Sequence, residues 1–245
     1  MSDHFVGAVA GDDGWLAVAY TTDGFDHAAV FDGIGELWTR YEETAERIAI
    51  DVPIGLEASS APRPNEAAAR SLLGERGEAV VPAPVREAAK KQRHRTAARA
   101  HRRKTGTELP ETAFRSARFV AAVDEFLDAI DEAPPVFLEA HPEVCYFAFA
   151  GEPMADPPGI AAGYAERMRT LAEFDADAPP TVQSVAEATA GYRISIPAVL
   201  DAVALGVTVR PGSGSLRSLP SDPPTDDRGL PMAYVYRSDT PLSAR

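Results

Sequence analysis

Asp51 interrupts an otherwise apolar run, Arg47-Ile48-Ala49-Ile50-Asp51-Val52-Pro53-Ile54-Gly55-Leu56. An apolar run of strand length that stops at Pro and Gly reads as a strand buried on both faces, with Asp51 near its carboxyl end. An isolated buried charge is costly, so a carboxylate there must be solvated, paired or holding a metal. Two readings of Asp51 stand. It is a ligand-site group beyond the strand end, where open α/β sheets bind, or it is satisfied by backbone amides of the Pro53 to Leu56 turn. A second carboxylate cluster, Glu139-Ala140-His141-Pro142-Glu143, follows the short apolar run Val136 to Leu138. His141, whose unperturbed pKa is about 6.5, suits a general base or a metal ligand, and equally a strut that orients the carboxylates. The strut is favoured, because a hard-metal oxygen site does not require imidazole. Asp201 is the one acid in the apolar stretch Pro197 to Val209, as a site residue or as a surface residue of an amphipathic helix.

These groups need elements to carry them. Phe5 to Ala10 and Trp15 to Tyr20 flank Gly11-Asp12-Asp13-Gly14 and read as a β-hairpin, with a third strand at His27 to Phe31 after Asp23-Gly24. Ile34, Leu37, Trp38, Tyr41 and Ala45 recur at helical spacing and lead into the Asp51 strand. Three hairpin-linked strands, a helix and a buried strand are the opening order of an RNase H-like fold. Further helices are predicted at Asn65 to Leu73, along a basic stretch between Pro84 and Gly106, and at Glu111 to Ile130. A short strand at Val136 to Leu138 follows, then helices at Ala161 to Phe174, Thr181 to Ala190 and Pro197 to Val209, and a last strand at Met232 to Tyr236. The expectation is one α/β domain over 1–245. Its mixed RNase H-like sheet has three antiparallel strands and then parallel ones, flanked by helices. A helical insertion is expected at about 57–133, and a flexible Gly/Ser/Pro/Asp-rich loop at about 211–228.

Several blocks resemble, in order, those of the family called domain of unknown function 429, a group regarded as predicted RNase H-like nucleases. They are Ile50 to Leu56, Val81-Pro82-Ala83-Pro84-Val85-Arg86, Leu109 to Phe126, Glu139 to Glu143, Gly163 with Arg167, Leu200-Asp201-Ala202, and Gly229-Leu230-Pro231-Met232 with Val235-Tyr236. The resemblance implies a divalent-metal-dependent nuclease in which carboxylates hold Mg²⁺ or Mn²⁺ for phosphodiester hydrolysis of nucleic acid. It points to Asp51, Glu139 and Asp201 as metal ligands and to the same residues with His141 as the catalytic set. There are departures. Val9 stands where relatives carry the aspartate of Gly-Val-Asp-Gly, Pro197 and Ala198 where paired acids often precede Leu-Asp-Ala, and Asn65-Glu66 where a Cys-Asp pair is common. Asp12 and Asp13 read as ordinary turn residues. A nuclease of reduced activity is therefore expected, and the alternative is a degenerate module that binds nucleic acid or a protein partner without cleaving it. A phosphotransfer enzyme of the sugar-kinase and actin superfamily is disfavoured, since no Gly-rich phosphate loop follows the hairpin strands and Gly212-Ser213-Gly214 lies in the tail.

Charge is unevenly spread. The chain carries −13, yet Arg86 to Lys104 holds nine Lys or Arg against one acid, Glu87. That segment is +8 and the remainder −21. A run of one sign repels itself, and beside an acidic cleft Lys90, Lys91, Arg95, Arg99, Arg102 and Arg103 could contact the phosphates of a nucleic acid. The one cysteine, Cys145, allows no intramolecular disulfide, and no signal peptide or membrane span is visible, so a cytoplasmic protein without a membrane partner is expected. Lysine occurs only at positions 90, 91 and 104. An acidic, Lys-poor, Ala-rich composition resembles that of proteins working at high internal salt. Circular dichroism followed as salt is lowered is expected to show loss of the fold at low ionic strength; a salt-independent transition would overturn the halophilic reading.

Overall fold

A computed structural model describes residues 3–243. Strands β1 (His4–Gly11), β2 (Gly14–Thr21) and β3 (Gly24–Phe31) form two consecutive hairpins, the first closing through the Gly11–Gly14 pair. Helix α1 (Ile34–Tyr41) returns the chain to β4 (Ala45–Ile50), which lies parallel to β1, and β5 (Phe137–Glu139) adds in parallel to β4. The sheet order is β3-β2-β1-β4-β5, so the mixed sheet expected from the sequence is present. β4 ends at Ile50, so Asp51 follows it directly, as the run broken by Pro and Gly predicts; Pro53 and Gly55, the latter with φ at +73°, turn the chain off the sheet.

The two faces of the central strands carry different helices. Val9, Leu16 and Val18 pack with Leu200 and Val203 of α9 (Ile196–Val209), whereas Val6, Ala8 and Ile48 pack with Leu37 and Trp38 of α1 and Val120 and Val123 of α5 (Glu111–Ala129). That two-sided burial is why β4 reads as a continuous apolar run. The α9 backbone lies directly on β1: a Cβ at Gly7 would fall onto the backbone of Ala202 and Gly206.

Between β4 and β5 the chain forms α2 (Pro64–Leu73), a 3₁₀ turn (Gly74–Ala79), α3 (Arg86–Ala89), α4 (His94–Thr105) and α5. The basic stretch is therefore two helices and not one. The break between them lets Ala88 of α3 and Ala97 and Ala100 of α4 meet around Val85, Leu109 and Ala113, a small core that one straight helix could not bury from both ends. After β5 come α6 (Pro142–Ala150), α7 (Ala161–Phe174), α8 (Ala178–Ala188) and α9. Helix α6 has no counterpart in the sequence reading, although Pro142 at its first position and Glu143 in its first turn are a helix-start pattern. β6 (Ser215–Leu219) pairs antiparallel with β7 (Tyr234–Ser238) in a separate ribbon. Part of the 211–228 stretch is thus a strand and not a loop; its partner lies beyond Pro231, out of reach of local pattern. The rest of that stretch is tied down at Asp226, whose carboxylate accepts from the amides of Leu56, Arg228 and Leu230 and pairs with Arg86. No described helix is long and apolar enough to cross a membrane.

The contact at Gly7 sets a measurable cost. Gly7→Ala is expected to lower the unfolding free energy by about 2 kcal/mol or more, as overpacking does. Gly35→Ala, exposed in α1 with nothing within 4 Å of its added methyl, is expected to be neutral or slightly stabilising in the same urea titration.

Candidate functional site

The register brings the strand ends together. Ala8 pairs with Ile50 and Ile50 with Glu139, so Val9 and Asp51 follow one residue on from these pairs, Asp51 and Glu139 lying at the ends of β4 and β5 and Val9 near that of β1. A cleft of about 510 Å³ opens there, its walls including Val9, Asp51, Glu139, His141 and Ala198. Asp201 sits one helical turn beyond Ala198 on α9. Val9, Asp51, Glu139, His141 and Ala198 line this cleft, whereas Asp201 and Pro197 do not; Asp201 lies behind it, close enough for the charge of Asp51 to act on it.

The carboxylates differ in state. Asp51 accepts one hydrogen bond, from the Ala10 amide at 3.2 Å. Burial pushes its carboxyl up to about 7, and the Ala10 bond only partly opposes this. The Asp201 carboxyl is held well above its ordinary range by burial first and then by the charge of Asp51, so the two form one coupled pair. The Pro53 to Leu56 turn does not satisfy Asp51. Its Ile54 amide donates to Glu139 instead, at 2.9 Å.

Glu139 is engaged on both oxygens. Arg63 donates to them at 2.6 and 2.9 Å, to Glu66 at 2.8 Å, and to the carbonyls of Ile54 and Gly55 at 2.9 and 3.0 Å. Arg63 is 2% exposed and Glu66 fully buried. Burial alone would lower the Arg63 pKa, but the facing carboxylates of Glu139 and Glu66 outweigh it and hold the guanidinium charged. Glu66 also takes the Ala83 amide, so this network stitches the turn after β4, the start of α2 and the end of β5 together. Asn65 is fully buried beside it, with Nδ2 3.5 Å from Glu139. Arg63 was not singled out from the sequence. The available signal was Arg63 three residues before Glu66 at the head of a helix with Pro64 first, a capping-box spacing.

His141 caps α6 in this arrangement. Its Nδ1 accepts from the Glu143 amide at 3.2 Å as the N-cap of α6, its ring packs edge-on against Tyr234, and burial pushes its pKa down to about 4. Glu143 pairs with buried Arg167, which also donates to the carbonyls of Asp156 and Gly163. A Cβ at Gly163 would fall onto the Pro157 carbonyl, so Gly163 and Arg167 form one structural unit, and the Arg167 charge partly offsets the upward shift of Asp201.

The basic segment does not line the cleft. Lys90 pairs with Glu125, Arg102 with Glu108 and Arg103 with Glu87, while Lys91, Arg95 and Arg99 are exposed. The cations that do line it are Arg115 and Arg118 of α5 and Arg193 before α9. Asp12 lies 3.4 Å from Arg118, and Asp13 takes the Arg193 amide, so both turn acids contact these arginines or their backbone instead of filling the place at Val9. On α5 these arginines look like the ordinary polar side of an amphipathic helix; nothing local marks them as facing a cleft.

Removing Arg63 leaves Glu139 and Glu66 buried and unpaired. Arg63→Met is expected to cost about 3–5 kcal/mol in urea denaturation, and the double variant with Glu139→Met to recover part of that loss.

The chain matches the model of the family described as protein of unknown function (DUF429) over residues 7–225. No curated protein and no solved structure matches it. With the match spanning most of its length and taking in the hairpins, the Asp51 strand end, the Glu139 block and α9, the chain belongs to the DUF429 family.

Proposed function

We propose that this is an RNase H-like protein whose strand-end cleft receives the phosphodiester backbone of a nucleic acid, acting as a divalent-metal-dependent nuclease of reduced capacity. The observation that carries this reading is the Asp51–Asp201 pair beside a cleft walled by Arg115, Arg118 and Arg193. Asp51 and Asp201 would hold at most one divalent cation, and too few free carboxylates remain for a second. Among the described residues Asp51 and Asp201 take part in no salt bridge, and they offer the oxygen donors that Mg²⁺ or Mn²⁺ prefers. Val9 offers no donor, and Glu139 is taken by Arg63. When bound, such an ion supplies positive charge against a phosphoryl oxygen and acidifies water.

The chain's own residues have separate tasks in this reading. The Ala10 amide orients Asp51, and the Arg63–Glu139 pair holds the turn beneath it. The cleft arginines attract and align phosphates, which need no base-specific contact. His141 keeps α6 in place, and its lowered pKa makes it a poor proton donor near neutrality. A second reading, a binding module without hydrolysis, is favoured by the apolar Val9 and by the engagement of Glu139.

Calorimetric titration of Mn²⁺, combined with incubation of single-stranded DNA and RNA, separates the two. The nuclease reading expects saturable Mn²⁺ binding and slow cleavage in wild type, both lost in Asp51→Asn. Nucleic-acid binding without metal uptake or cleavage would establish the second reading. Arg115→Gln and Arg193→Gln are each expected to reduce the salt slope of binding by about 1, whereas Arg99→Gln on α4 reports whether the basic helix takes part.

A further inference from the structure

A second chemical cluster lies at the opposite end of the sheet. His4 opens β1, Asp26 and His27 lie early in β3, and Tyr41 and Thr44 bracket the turn before β4. His4 and Val9 are five residues apart on one strand, about 16 Å, so this cluster is separate from the cleft. Asp26 Oδ2 lies 3.1 Å from His4 Nε2 and 2.8 Å from His27 Nδ1, and the three donor atoms are within 4.8 Å of one another.

We propose that His4 Nε2, His27 Nδ1 and the Asp26 carboxylate form a binding site for a zinc-class divalent transition metal, with the remaining coordination position open to solvent. Two imidazoles and one carboxylate are borderline donors that suit Zn²⁺ and not the oxygen-seeking Mg²⁺. The outward nitrogens are also held. Thr44 Oγ1 lies 3.0 Å from His4 Nδ1, and the Tyr41 hydroxyl 2.9 Å from His27 Nε2. Outer partners of this kind orient metal-binding histidines.

Proton balance favours the arrangement. A neutral ring without metal can direct one N–H at Asp26 and accept from the hydroxyl on its other side. Metal uptake moves that proton to the outer nitrogen, which then donates to Thr44 or Tyr41. A hydroxyl both donates and accepts, so either tautomer is satisfied and no buried group is stranded. The rings are positioned by packing: His27 stacks on Tyr41 at 5.8 Å with planes 19° apart, and His4 meets the same ring edge-on. Asp26, 45% exposed, gives the ion a path in. A bound ion would link β1 to β3 across β2, at the end of the sheet remote from the cleft.

The test uses tag-free, metal-stripped full-length protein titrated with ZnCl₂ by calorimetry, and with Co²⁺ as a visible-absorption reporter of coordination. One equivalent of Zn²⁺ is expected, with a rise in melting temperature of several degrees in the wild type that is absent in Asp26→Asn. His27→Gln and Asp26→Asn are expected to weaken binding at least tenfold, and Tyr41→Phe by roughly 10–100-fold through loss of the outer hydrogen bond. Asp51→Asn is expected to leave Zn²⁺ binding unchanged, which keeps this result distinct from that of the cleft. Absence of stoichiometric Zn²⁺ binding, or binding unaltered in Asp26→Asn and His27→Gln, overturns the proposal and leaves the cluster a hydrogen-bonded triad.

Discussion

The buried guanidinium of Arg63 is the contact on which the strand-end cleft depends. It joins Glu139 at the end of β5, Glu66 in the first turn of α2, and two carbonyls of the turn after β4. A buried charge is tolerated only where its hydrogen-bonding capacity is met by opposite charge and backbone oxygens. All three segments therefore have to arrive together. The result is a rigid floor under Asp51, formed at the expense of Glu139 as a free carboxylate.

Close approach of α9 to β1 is the second constraint. Gly7 on the strand and Gly206 on the helix leave no side chains between the backbones, and α9 lies low enough to bring Asp201 into the field of Asp51. Burial shifts both carboxyl groups towards the protonated form, and the charge of Asp51 adds to the shift of Asp201. A cation or a bound proton would relieve the same unfavourable burial of charge.

Charge on the surface is arranged differently from its linear order. The run from Arg86 to Lys104 dominates the sequence, but in three dimensions Arg86 is drawn into a cluster with Asp124, Asp226 and Asp227, and three of the other basic residues meet glutamates. Arg86 and Lys90 are thus met by acids distant in the chain and Arg102 and Arg103 by nearby glutamates, while isolated arginines from α5 and from the segment before α9 become the cations of the cleft.

What the sequence by itself determined is local or repeated in order along the chain. Hairpins follow from alternating apolar strands around Asp-Gly turns, α1 and α5 from apolar spacing, the position of Asp51 from a run broken by Pro and Gly, and the family from the succession of blocks. Boundaries failed where a tertiary partner decided them: the basic stretch breaks so that two short faces share one core, and β6 exists because β7 returns to pair with it. The state of each site residue was likewise a tertiary matter. Glu139 and Arg63 are 76 residues apart, and His4, Asp26 and Tyr41 meet only through strand pairing and a helix return. Residue type and spacing encode what a side chain can do; whether a carboxylate is free, paired or coupled depends on which distant charge the packed fold sets against it.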